Sequence, residues 1–276
     1  MFSLNCNGKL LTINNPIVMG IINVTPDSFY AGSRFIGEKE ILRQIEKMIK
    51  EEVDIVDIGG QSTRPRAQQL SIDEELKRII SVINSLHKNF PELIISIDTF
   101  YSQVAKESVA AGASIINDIS GGNFDGEMLS TVAKLKVPYV CMHIKGTPQT
   151  MQEKPEYENV TKEILDFFIE RIDACKKAGI DDIIIDPGFG FGKNSRHNFE
   201  LLKNLSVFKM LEKPILTGIS RKSTIYKTLG ITVDEALNGN TVLHTIALMN
   251  GANILRAHDV KEAKECIKLF TEYSKS

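Results

Sequence analysis

The sequence predicts an α/β protein built as a single (β/α)8 TIM barrel with a short N-terminal hairpin. Eight short β-branched apolar runs recur, at Ile17 to Ile22, Val53 to Ile58, Leu93 to Ile97, Ser114 to Asn117, Val137 to Met142, Asp182 to Ile185, Pro214 to Thr217 and Ala252 to Leu255. They lack the polar alternation of a half-exposed sheet, as parallel strands covered on both faces do. A stretch of helical periodicity follows each run, and strand-helix units repeated eight times close into a barrel. Residues 1–276 are therefore read as one domain, with the active site at the C-terminal ends of the strands.

Taken in order, residues 3–13 alternate loosely around Asn7-Gly8, a turn dipeptide, and predict a hairpin that closes the barrel bottom. Helical periodicity spans 38–52, 73–89, 101–111, 125–135, 160–178, 197–211, 234–250 and 259–273. Ser71 with Glu74 and, later, Asp259 mark helix starts; Gly112 and Gly179 mark ends. Two connections exceed the usual length of about 2 to 6 residues for a βα loop. They run from Asn23 to Gly37 and from Gly59 to Leu70, and both are candidate lids.

The net charge of −2 argues against an extended nucleic-acid surface, while leaving room for a local cationic pocket. Cys6, Cys141, Cys175 and Cys266 form no CxxC pair, which predicts reduced thiols rather than a disulfide framework or thiolate zinc site. No apolar run reaches the length of a membrane span and no leader pattern opens the chain, so a soluble cytoplasmic protein is expected.

The residues that stop the apolar runs carry the chemistry. Asp98, Asn117, Asp118 and Asp186 end strands and should converge in the barrel mouth. Buried carboxylates need donors, so a ligand rich in N–H groups, such as an amino-substituted heterocycle, would suit them. The stretch from Pro187 to Lys193 alternates glycines with Phe189 and Phe191, allowing close backbone approach beside an aromatic wall. After the seventh strand come Gly218 and Ser220-Arg221-Lys222-Ser223; after the eighth come Arg256, His258 and Asp259. Cations beside a helix N-terminus at this corner of a barrel suit a phosphate group, and a diphosphate above all. Asn23 could supply a neutral oxygen to Mg²⁺ shared with phosphate, or serve as a plain turn residue. No HxH, HExxH or Ser/His/Asp ordering supports a zinc hydrolase or an acyl-enzyme.

These residues resemble the dihydropteroate synthase family of the folate pathway over nearly the whole chain. The resemblance lies in Val18 to Phe29, Ser62-Thr63-Arg64-Pro65, Ile97-Asp98-Thr99, Ile116 to Gly122, Met142-His143, Asp186 to Lys193, Ser220 to Ser223, and Arg256 with His258-Asp259-Val260. It implies condensation of 6-hydroxymethyl-7,8-dihydropterin diphosphate with p-aminobenzoate, releasing diphosphate. It further implies that Asp98, Asn117, Asp186 and Lys222 hold the pterin, with Gly218 alongside and Met142, Phe191 and Arg256 walling the ring. By the same resemblance Asn23 ligates Mg²⁺, Arg256 and His258 bind diphosphate oxygens, and Asp98, Lys222 and Arg256 carry the catalysis. Thr63, Arg64, Pro65 and Ser223 would border the aminobenzoate, and Asp27, Phe29, Ser62 and Arg66 would belong to mobile loops. A homodimer through the last helices is implied too. The chain departs from the family pattern at Gln61 for Glu, at Arg66 for Gly, and at Tyr30-Ala31-Gly32-Ser33 for Ser-Asp-Gly-Gly. A pterin-binding methyltransferase would share the barrel, but it has no need for the anion cluster.

Overall fold

In the computed structural model, residues 1–24, 34–62 and 69–276 are described. Strands β1 (Phe2–Cys6) and β2 (Lys9–Ile13) pair antiparallel. Asn7 and Gly8 between them both have positive φ, 53° and 87°, the backbone that lets a two-residue turn follow the strand twist. Eight parallel strands follow: β3 (Ile17–Asn23), β4 (Ile55–Gly59), β5 (Ile94–Asp98), β6 (Ile115–Asp118), β7 (Tyr139–Met142), β8 (Ile183–Asp186), β9 (Leu216–Thr217) and β10 (Ile254–Ala257). Their spatial order is β8-β7-β6-β5-β4-β3-β10-β9, and a parallel bridge from Ile185 to Ile215 closes the ring. All eight predicted runs become barrel strands.

The outer layer contains α1 (Arg34–Lys50), α2 (Ile72–Asn89), α3 (Ser102–Ala110), α4 (Met128–Leu135), α5 (Val160–Ala178), α6 (Ser195–Lys203), α7 (Ser223–Leu229), α8 (Leu237–Met249) and α9 (Val260–Lys275). Ser71 and Glu74 form a reciprocal capping box on α2, as their spacing predicts. Three expectations need correction. The helix expected over 197–211 breaks at Asn204, whose side chain donates to the Glu200 carbonyl, and continues as a 3-10 helix over Leu205–Leu211. Helix α7 falls where a loop was expected; seven residues are too few to display a helical period. Asp259 precedes α9 but makes no side-chain cap, because its carboxylate accepts from Arg221 and Asn240 instead.

Side-chain alternation splits the core into two shells. Val56, Ile58, Ile95 and Ile97 point outward and pack with the helices. Ile17, Met19, Ile55, Ile94, Ile115, Val140, Ile184, Leu216 and Ile254 form an inner cluster with Leu4, Cys6 and Ile13 of the hairpin. The hairpin therefore plugs the N-terminal end of the barrel.

Candidate active site

The strand period of two carries the inner face from that apolar layer into the mouth. Two residues beyond Ile55, Ile115, Val140, Ile184, Leu216 and Ile254 come Asp57, Asn117, Met142, Asp186, Gly218 and Arg256. One layer higher stand Asn23, Gly59, Asp98 and His258. The register aligns Asn23 with Gly59, Gly59 with Asp98, and Asp98 with Asn117. A side chain at Gly59 would fill the space between Asn23 and Asp98, since an added Cβ would lie 3.8 Å from the Asn23 Oδ1 and 3.6 Å from the Asp98 Cβ.

An ion-pair network organises the floor. Arg256 donates from Nε to the Asp57 Oδ2 and from Nη2 to the Asp98 Oδ2, each at 2.7 Å. The same Asp57 oxygen accepts from the Asn117 Nδ2 at 2.9 Å. Burial pushes the Asp98 carboxyl above its ordinary range, and Arg256 opposes the rise. Asp186, also buried, is raised by desolvation despite Lys222 nearby, and its Oδ1 accepts from the Gly188 amide at 2.8 Å. Lys222 donates to the Phe189 carbonyl and lies 4.5 Å over the Phe191 ring. Its pKa falls to about 8 because burial disfavours the ammonium. Phe191 and Met142 form an apolar wall with Phe100, Ile119 and Met151.

His258 is held by Ser220, whose Oγ lies 3.1 Å from the imidazole Nδ1 and accepts from the His258 amide at 3.2 Å. Although part of His258 is open to solvent, desolvation of the ring and then Arg256 lower its pKa to about 4. Ser223 opens α7 beside Lys222, and Gly218 leaves room for the Lys222 ammonium and Asp186.

The structure thus brings together Asn23, Asp98, Asn117, Met142, Asp186, Phe191, Gly218, Lys222, Arg256 and His258, with Ser223 following Lys222 at the start of α7. Ser62 is exposed just beyond β4. Thr25, Asp27, Phe29 and Tyr30 to Ser33 on the first loop, and Thr63, Arg64, Pro65 and Arg66 on the second, lie outside the described residues. Gln61 accepts from the Leu70 amide at 2.7 Å, tying the two ends of the second loop together.

Two expected members do not belong. Asp118 points away from the mouth and accepts from Ser120, the Gly122 amide and the Tyr139 hydroxyl, because it has the opposite strand parity from Asn117. The Arg221 cation is bound to Asp259 at 2.7 Å and 3.0 Å rather than offered to an anion. Asp57 is the member that sequence reading missed. A lone Asp two residues below an inward-facing Gly59, inside an apolar strand, was the available signal.

Fold and site together define a class: a (β/α)8 barrel whose mouth gathers carboxylates, an amide and cations beside an apolar wall. Residues 19–258 match the family described as pterin binding enzyme. Dihydropteroate synthase of Escherichia coli K12 is 43% identical over 264 residues, covering 95% of this chain and 93% of the relative. The Haemophilus influenzae enzyme is 41% identical over 269 residues, covering 97% of each. Among solved structures, Yersinia pestis dihydropteroate synthase in a sulfonamide drug complex superposes with TM-score 0.93 at 39% identity over 100% of both chains. Xanthomonas albilineans dihydropteroate synthase with 4-aminobenzoic acid gives 0.92 at 38%, covering 99% of this chain and 98% of that one. This chain belongs to the dihydropteroate synthase family of pterin binding enzymes.

Proposed function

We propose that the protein condenses 6-hydroxymethyl-7,8-dihydropterin diphosphate with p-aminobenzoate to give 7,8-dihydropteroate and diphosphate, a step of folate biosynthesis. Support comes above all from Asp98, Asn117 and Asp186 meeting Lys222 and Arg256 in one mouth, in a chain 43% identical to a synthase of that name. Asp98, Asn117 and Asp186 offer acceptors to the N–H edge of the pterin, Lys222 donates to an acceptor on the ring, and Met142 and Phe191 cover its faces. Arg256 and the N-terminal backbone of α7 at Ser223 favour negative charge at the neighbouring end, where His258, its ring neutral at pH 7, would offer a hydrogen-bond donor.

Among the described residues, the donor set would accept a metal at Asn23. Among the described residues no cluster of His, Cys, Asp and Glu could hold an ion by itself, whereas Asn23 places a neutral oxygen at the exposed rim beside Asp98. Mg²⁺ takes few protein oxygens and completes its shell with phosphate and water, so Asn23 would hold it; when bound it would neutralise leaving-group charge.

In this reading diphosphate departs first. Arg256 stabilises the departing oxygens, and the Asp98 carboxylate faces the cation left on the exocyclic methylene, conjugated with the dihydropterin ring. The aromatic amine, neutral near pH 7, attacks that carbon and releases its proton to solvent, so no strong general base is required. Thr63, Arg64, Pro65 and Ser223 would border the aminobenzoate, and Asp27, Phe29, Ser62 and Arg66 would belong to the neighbouring loops. A homodimer is part of the proposal, supported by the exposed stripe Val242, Ile246 and Met249 on α8.

The test is diphosphate release and dihydropteroate formation by the purified protein with both substrates and Mg²⁺. Asp98→Ala and Lys222→Ala should each lower kcat/KM by about a hundredfold or more. No turnover by the unaltered protein would refute the proposal.

A further inference from the structure

Asp57 lies midway along β4, fully buried inside the barrel. One oxygen, Oδ2, takes every described bond: the Asn117 Nδ2 at 2.9 Å, and Arg256 through Nε and Nη2, both at 2.7 Å. Its Oδ1 has no partner among the described residues. A carboxylate in that layer is costly to bury, and the neighbouring inward positions, Ile21 on β3 and Ser96 on β5, offer it no charge. Helix packing cannot account for it either, because Asp57 faces away from the helices.

Its two partners show what it does. An asparagine amide has a donor end and an acceptor end of nearly equal size, and only its neighbours decide which way round it sits. The carboxylate of Asp57 accepts and cannot donate. It therefore commits the Asn117 nitrogen downward and leaves the Asn117 oxygen for the mouth. With Nε on Asp57 and Nη2 on Asp98, the Arg256 guanidinium is held in one plane, and neither bond uses Nη1.

We propose that Asp57 is a positioning residue that sets ligand specificity. By fixing the polarity of the Asn117 amide and the plane of Arg256, it makes the mouth select a heterocycle that presents N–H donors. The inference rests on the pterin reading above.

Calorimetric binding of 6-hydroxymethylpterin, and of its 2-oxo analogue in which the amino donor becomes a carbonyl acceptor, tests it. Asp57→Ala removes the acceptor and lets the Asn117 amide turn. Its affinity for 6-hydroxymethylpterin should fall by about tenfold or more, and its preference for the pterin over the 2-oxo analogue should shrink by about fivefold or more. The KM for the pterin diphosphate should rise while that for p-aminobenzoate stays within about twofold. Asp57→Asn keeps an oxygen able to stand in the Oδ2 position and should retain affinity and preference within about fivefold. Asp57→Leu, which refills the volume, replaces the alanine variant if that one does not fold, with the same expectation.

Wild-type affinity and preference in Asp57→Ala or Asp57→Leu would overturn the proposal. So would parallel rises in both KM values, or a loss in Asp57→Asn as large as in Asp57→Ala. Failure of the unaltered protein to bind 6-hydroxymethylpterin would overturn the pterin reading itself, and the inference with it, whatever the variants do.

Discussion

Lys222 sits in the mouth against the preference of its surroundings. Burial lowers its pKa from 10.5 to about 8, opposed by Asp186 and Asp98. Two opposite pH dependences follow. The ammonium proposed to donate to the pterin is lost as pH rises through about 8, so kcat/KM for the pterin substrate should decline above that value; a pH profile that stays flat to 10 would contradict this. Folding, by contrast, should gain, because between about 8 and 10.5 the unfolded chain binds this proton and the folded one does not. Lys222→Met should remove both trends, read as the slope of Tm and of kcat/KM with pH. Single-residue chemistry at Asp98, Asp186 and Arg256 was legible because each stands at the end of an apolar run, and Lys222 because it falls in a polar cluster just after one. Asp57 was not, because its meaning depends on Asn117 and Arg256, 60 and 199 positions away.

The segment between β8 and α6 works as one element. Lys193 is buried and ties the segment together, donating to the Gly188 carbonyl at 2.9 Å and the Phe191 carbonyl at 3.0 Å, with His143 Nδ1 at 2.9 Å. Gly188 and Gly192 have φ of 70° and 64°; an added Cβ would come within 1.9 Å of the His143 carbonyl and 2.4 Å of the Lys145 carbonyl. Gly188→Ala should therefore cost about 2 kcal/mol or more in denaturant unfolding and displace Phe191 from the mouth, whereas Gly126→Ala, with open space around it, should be nearly silent. Close approach is thus the reason for the glycines that the sequence displayed.

Helix α2 carries a different load at its first turn. Glu75 is fully buried, and neither carboxyl oxygen has a bonded partner among the described residues, although the Thr99 hydroxyl comes near. Burial pushes its pKa up to about 7, so the folded state holds this proton where the unfolded chain, near 4.5, releases it. Stability should accordingly be fully present below about pH 4.5 and decline as pH rises through about 7. Glu75→Gln should flatten that part of the Tm profile, measured by differential scanning calorimetry.

At the scale of the molecule, α8 presents an apolar stripe to solvent. Val242, Ile246 and Met249 on α8 are 50%, 36% and 58% exposed and share a stripe, while Leu243, Ala247 and Leu248 on the same helix are buried against the barrel. An apolar stripe of this kind suits a second copy of the chain. Replacing Val242 and Met249 together by Glu should convert a dimer to monomers in sedimentation velocity with little change in far-UV circular dichroism. A monomer before substitution would remove the dimer from the proposal.

By itself the sequence determined the barrel, its eight strands, the hairpin plug and the identity of nearly every polar group at the mouth. Burial of parallel strands and the phosphate chemistry of barrel loops both leave local marks in residue type and spacing. Only the tertiary structure decided which groups face inward and how they pair. Strand parity turned Asp118 away and brought Asp57 in, long-range pairing gave the Arg221 cation to Asp259, and α7 formed at a length too short to show a period. These outcomes depend on partners distant in sequence, which local pattern cannot encode.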